Sequence, residues 1–130
     1  MDESLKQEVY RLHALICKTL SDPKRLMILD ELRSGPKSVG ELSKTLELRQ
    51  ANVSQHLAVM RERNIVTYRR EGATVYYSLS SPKIAEACDK LHEVLEEQLA
   101  RSQALAADVH AFQPNPVKRN VKKETPSMAS

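Results

Sequence analysis

The sequence predicts a mainly α fold carrying one small β-hairpin, an α+β arrangement in the order α-α-α-α-β-β-α. Two observations carry that expectation. Apolar residues recur at steps of three and four through residues 5–60, the period of a helix buried on one side. At Ile65 the texture changes to β-branched and aromatic runs of period two, "IVTYRR" and "ATVYYSL", and helical spacing resumes after Pro82. With 130 residues the chain has room for one modest domain, or for an oligomer that completes its core with a partner's surface.

Each element has its own signal. Leu5, Val9, Leu12, Ile16 and Leu20 form one stripe, which makes a first helix reaching about Leu20. Ser21 or Asp22 can cap a second helix, Pro23 suits its first turn, and Gly35 with Pro36 ends it, with Leu26, Leu29 and Leu32 facing inward. Ser38 and Glu41 have the spacing of a capping box and open a short third helix bearing Val39, Leu42 and Leu46. A fourth helix carries Val53, Leu57 and Met60 and closes at Asn64, a residue that tolerates the left-handed conformation. The two β runs join at Glu71 and Gly72 as a tight hairpin. Ser81 and Pro82 then start the last helix, whose Ile84, Cys88, Leu91 and Leu95 approach a coiled-coil seam that continues less cleanly through Leu99, Leu105 and Val109. From Gln113 the composition collapses to "QPNPVKRNVKKETPSMAS", so the domain is expected over 1–112 and a disordered basic tail over 113–130.

Composition narrows the function classes. No run of eighteen uncharged apolar residues occurs, so neither a membrane span nor an export signal is expected. Two widely separated cysteines do not make a secreted disulfide framework, and a reducing cytoplasm is the expected compartment. The net charge is only +3, so any case for nucleic acid rests on distribution. From 49 to 70 five arginines (Arg49, Arg61, Arg63, Arg69, Arg70) face one acid, Glu62, whereas from 86 to 97 five acids face Lys90 alone. With no phosphate-cradling glycine loop and no nucleophile–base–orienter arrangement beyond the thiol pairs, the chain is not expected to be an enzyme.

Two short helices joined by a tight turn and followed by a basic hairpin describe a winged helix-turn-helix. Once helix four buries Val53, Leu57 and Met60, the residues Gln50, Ser54, Gln55 and Arg61 lie on or beside its free face. Glutamine can pair bidentately with adenine, and serine can donate or accept. Arg69 and Arg70 on the wing suit phosphate or a narrow minor groove, and Arg49, Asn52 and Thr74 complete the expected contacts with double-stranded DNA. His56 is expected to be a satisfied, half-buried imidazole. The competing readings are a merely solvated helix face, an arginine pair that protects a sheet edge, and a protein-interaction winged helix that docks a partner on its acidic last helix and never reads DNA.

Residues 20–79 resemble the ArsR/SmtB family of repressors, through "DPKRLMIL", the helix-four run "QANVSQHL" and the wing "RREGATVYYSL". The resemblance implies a homodimer built by the first and last helices, an inverted-repeat operator, and release by an effector. By position, Gln50, Ser54 and Gln55 match the family's major-groove contacts, and Arg69 with Arg70 its basic wing. Arg49 stands where members often have a capping serine, and Ala51 replaces another frequent serine.

Neither of the family's best-known metal sites is matched. The stretch "PKSVGEL" has Ser38 and Gly40 where thiols would be needed, and Asp89 with His92 is one step too long for the last-helix pair, with Ser102 at its later partner's place. What remains is His13 with Cys17 and Cys88 with His92, each pair sharing a helix face. Three roles compete for them: Cys88 as an apolar packing residue, a thiol-redox or sulfur-species signal through Cys17 and Cys88, and a Cys/His site for zinc or another thiophilic metal. No cofactor is required.

Overall fold

The computed structural model describes residues 2–100, 108–112 and 114. Its elements are α1 (Glu3–Thr19), α2 (Pro23–Leu32), β1 (Lys37–Ser38), α3 (Val39–Leu46), α4 (Gln50–Glu62), β2 (Val66–Glu71), β3 (Thr74–Leu79) and α5 (Pro82–Leu99). The expected order lacked β1. This strand pairs antiparallel with β3, Lys37 opposite Tyr77 and Ser38 opposite Tyr76, so the sheet has three strands in the order β1-β3-β2 instead of a lone hairpin. Two residues are too few to show a period, and the strand exists only because β3 offers an edge.

Local chemistry sets the helix ends. Asp22, not Ser21, caps α2, its carboxylate accepting the amides of Lys24 and Arg25 at 2.8 and 3.2 Å. At α3 the capping box is complete: the Glu41 amide donates to Ser38 Oγ at 3.1 Å and the Ser38 amide to Glu41 Oε1 at 2.9 Å. Past the end of α4, Asn64 takes φ +60. That residue lets the Ile65 amide reach the Met60 carbonyl at 2.8 Å and its own amide reach Arg61 at 3.0 Å, a Schellman closure.

The core forms where α2, α3, α4 and the base of β2 meet: Ile28, Leu29, Leu32, Leu42, Val53, Leu57, Met60, Ile65 and Val66. Leu26, expected inside, is exposed, and Ile28 holds the inner place. Two residues are about 200° of helix, so those two positions cannot share a face. The hairpin turns one residue later than expected, with Glu71 opposite Thr74 and the loop made of Gly72 and Ala73. Gly72 takes φ +63 there, as the first loop residue of a type II′ turn requires.

Ser81 and Pro82 start α5 as expected, with the Lys83 amide on Ser81 Oγ. Only its first turns touch the core, through buried Ala85 and the partly buried Ile84. Arg33, just past α2 and 7% exposed, ties the two helices together: Nη1 donates to the Ala85 carbonyl at 3.2 Å and Nη2 to Asp89 at 2.9 Å. Farther along α5, Leu91, Val94 and Leu95 are exposed, and on α1 the stripe Leu5, Val9, Leu12 and Ile16 is 44–53% exposed. Leu20 alone of that stripe packs on the core. Of the expected continuation, Val109 lies in a short helical stretch, 108–111, while Leu105 and all of the expected tail except Gln113's neighbour Pro114 lie outside the described residues. No described helix is long and apolar enough to cross a membrane.

Candidate nucleic-acid interface

Helix α4 is divided along its length by burial. Val53, Leu57 and Met60 are fully enclosed, which leaves Gln50, Ser54 and Gln55 exposed and Asn52 half-buried at the edge of the free face. Arg49 occupies the N-cap position but its side chain makes no cap bond. The N-cap side chain therefore gives no acceptor to the amides that open α4, and an anionic oxygen can take that place.

His56 is half-buried, as expected, and its partner comes from α2: Arg25 Nε donates to His56 Nδ1 at 3.1 Å, while Arg25 Nη1 donates to the Thr19 carbonyl at the end of α1, also at 3.1 Å. An accepting Nδ1 places the neutral ring's proton on Nε2. One arginine thus joins α1, α2 and α4. Beneath it, partial desolvation pushes the Asp22 carboxyl up, but the amides of Arg25 and Lys24 and the nearby Arg25 guanidinium outweigh this and hold it below its ordinary value.

On the wing, strand alternation separates what the sequence pairs. Val66, Tyr68 and Arg70 share one face of β2 and Thr67, Arg69 and Glu71 the other. Arg69 is held by Glu71 on its own face at 2.6 Å, both exposed. Arg70 stands opposite Val75, and Thr74 is half-buried at the hairpin tip. Arg69 and Arg70 are therefore two separate cations pointing in opposite directions. Arg61, exposed near the end of α4, lies over the ring of Tyr68, its guanidinium carbon 4.0 Å from the centroid. Sequence reasoning missed Tyr68, Arg25 and Arg33; a tyrosine seven residues after an arginine across a helix–strand junction carries no periodic signal.

The effector candidates are dispersed. His13 and Cys17 are exposed on α1, Cys88 and His92 half-buried on α5, and both thiols are free. Among the described residues no group of three or more His, Cys, Asp or Glu side chains is placed to hold a metal ion. Burial pushes the Cys88 thiol above its ordinary value; Arg33 pulls it down, and Asp89 and Asp30 push it up again. Among the described residues, His92 Nε2 is buried without a hydrogen-bond partner, its ring 6.0 Å from that of Phe112.

Residues 22–68 match the family described as "Bacterial regulatory protein, arsR family". The chain is 38% identical over 106 residues to the HTH-type transcriptional regulator Rv0081 of Mycobacterium tuberculosis, covering 81% of this chain and 93% of that protein. It is 42% identical over 81 residues to the biofilm growth-associated repressor of Agrobacterium fabrum, covering 62% and 69%. Among solved structures, the homodimeric winged helix-turn-helix DNA-binding domain Mb0332 of Mycobacterium bovis superimposes with a TM-score of 0.70 at 25% identity, over 78% of this chain and 93% of that one.

Proposed function

The chain belongs to the arsR family of bacterial regulatory proteins, a family of helix-turn-helix transcriptional regulators, and from that membership we propose a homodimeric cytoplasmic repressor that reads an inverted-repeat operator. Helix α4 enters the major groove with Gln50, Ser54 and Gln55, and the hairpin meets the neighbouring phosphates with Arg70 and, from its other face, Arg69. The observation that carries this is the division of α4: a wholly buried apolar face under a free face of amides and hydroxyls, with an unclosed positive end beside it. The exposed stripe of α1 and the outer turns of α5 supply the surface for a second copy, and the similar Mb0332 domain is homodimeric.

Selection of duplexes from a random pool tests it. A palindromic site should emerge, with half-sites about 34 Å apart. Gln55→Ala should then weaken binding by about 1–3 kcal/mol with loss of discrimination at one base position, and replacing both Arg69 and Arg70 by alanine should weaken all duplexes alike. A pool that yields no preferred sequence would leave only the protein-docking alternative.

For the signal, the thiols remain the candidates. Cys17 is exposed, whereas Cys88 is half-buried and its thiol is raised above its ordinary value, which lowers its reactivity. A thiophilic metal would have to be held between two copies, because one chain does not gather three ligands among the described residues. Operator affinity of reduced, polysulfide-treated and zinc-loaded protein, each repeated on Cys88→Ser, separates these cases; equal affinity throughout makes Cys88 a packing residue.

A further inference from the structure

Arg61 was expected to touch DNA directly, yet its guanidinium is already engaged. Its Cζ lies 4.0 Å over the Tyr68 ring and Nη2 donates to Tyr68 Oη at 3.3 Å. Tyr68 leans on its cross-strand neighbour Tyr77, the ring centroids 6.2 Å apart and the planes tilted by 36°. Tyr77 in turn packs against the core and stands opposite Lys37 of β1. Arg61, Tyr68 and Tyr77 make a column running from the last turn of α4 through the hairpin to the core.

A planar guanidinium gains by stacking on an aromatic face, and the exposed form of that contact is worth a modest but measurable amount. Tyr68 is 47% exposed, and the Arg61 guanidinium covers its ring from α4. Two residues on, Arg70 projects from the same strand face as Tyr68. Whatever fixes Tyr68 against α4 therefore fixes where Arg70 stands relative to the recognition helix.

We infer that Arg61 is a positioning residue: it acts on DNA through Tyr68, clamping the hairpin to α4 so that Arg70 is presented at a set distance from the groove-reading face. This rests on α4 and the hairpin being the DNA-reading surface.

The test is a double-mutant cycle on a duplex selected by the wild-type homodimer, titrated at several salt concentrations. Arg61→Ala and Tyr68→Ala should each weaken binding roughly threefold to tenfold, and the double variant should be no weaker than the poorer single one. Tyr68→Phe, which keeps the ring, should bind within about twofold of wild type. Thermal unfolding midpoints should fall by no more than a few degrees, with operator binding assayed well below them, and in the free protein the Arg61 δ-methylene protons should show an upfield ring-current shift that Tyr68→Ala removes and Tyr68→Phe keeps. Losses that multiply in the double variant, a Tyr68→Ala protein that binds like wild type, or a Tyr68→Phe protein as weak as Tyr68→Ala overturns the inference. In particular, if only Arg61→Ala weakens binding and it lowers the salt slope by about one, Arg61 is a phosphate contact. A wild-type protein that selects no duplex is a different failure, that of the DNA-binding surface itself, and the ring-current shift would then still report whether the clamp exists.

Discussion

Helices α1 and α4 carry equally regular apolar stripes and meet opposite fates. On α4 every member of Val53, Leu57 and Met60 is sealed inside one chain, whereas on α1 Leu5, Val9, Leu12 and Ile16 all face outward. The difference teaches that helical spacing announces a face to be buried without saying by whom. For α4 the answer is α2, α3 and β2 of the same chain; for α1 and the outer turns of α5 the proposed answer is a second copy. The molecule thus has a DNA-reading half that closes on itself and a dimerising half that does not.

The sharpest way to break this comparison is to strike the closed half. Leu57→Ala removes a fully buried side chain and should cost about 2–5 kcal/mol, read as a fall in the denaturant midpoint and accompanied by loss of operator binding. A smaller, different effect is expected from the open half. Leu12→Glu combined with Ile16→Glu should raise the dimer dissociation constant by roughly thirtyfold or more, about 2 kcal/mol, in sedimentation equilibrium, while the circular dichroism of the chain stays nearly unchanged. If those two charges unfolded the chain instead, α1 would be part of the closed core.

The smallest effect is a pH dependence at the junction of the halves. In the folded chain the Cys88 thiol is raised above its ordinary value of 9.0, chiefly by burial. As pH rises past that value the unfolded thiol loses its proton first, so the folded state holds more protons and stability declines through the alkaline range until the folded thiol also ionises. Cys88→Ala should flatten that alkaline slope in urea titrations.

Much of the reading half was legible in the sequence because its determinants are local. The Ser38–Glu41 box, the Pro23 and Pro82 starts and the left-handed Asn64 are fixed by residues within a few positions of one another, and the structure builds each of them. What escaped depends on distance along the chain. The β1 strand needs an edge forty residues away in sequence, opposite Tyr77. Arg33 finds Asp89 across 56 positions, and nothing in "ELRSGP" marks that arginine as buried. At the candidate site, Gln50, Ser54 and Gln55 were readable from helical spacing. The opposed directions of Arg69 and Arg70 follow from alternation in β2, although adjacency in the sequence suggests a pair. Leu26 was misplaced because a stripe with steps of three fits the string as well as the true stripe through Ile28.

The central claim is that two open halves must join before two reading halves can bind one site. It is tested most directly by the mass of the complex formed on a selected duplex, measured by sedimentation for the wild type and for the chain carrying Leu12→Glu with Ile16→Glu. Two chains per duplex for the wild type, and binding weakened at least about tenfold for the variant, is the predicted result. One chain per duplex, or a monomeric variant that binds as tightly as the wild type, would contradict it.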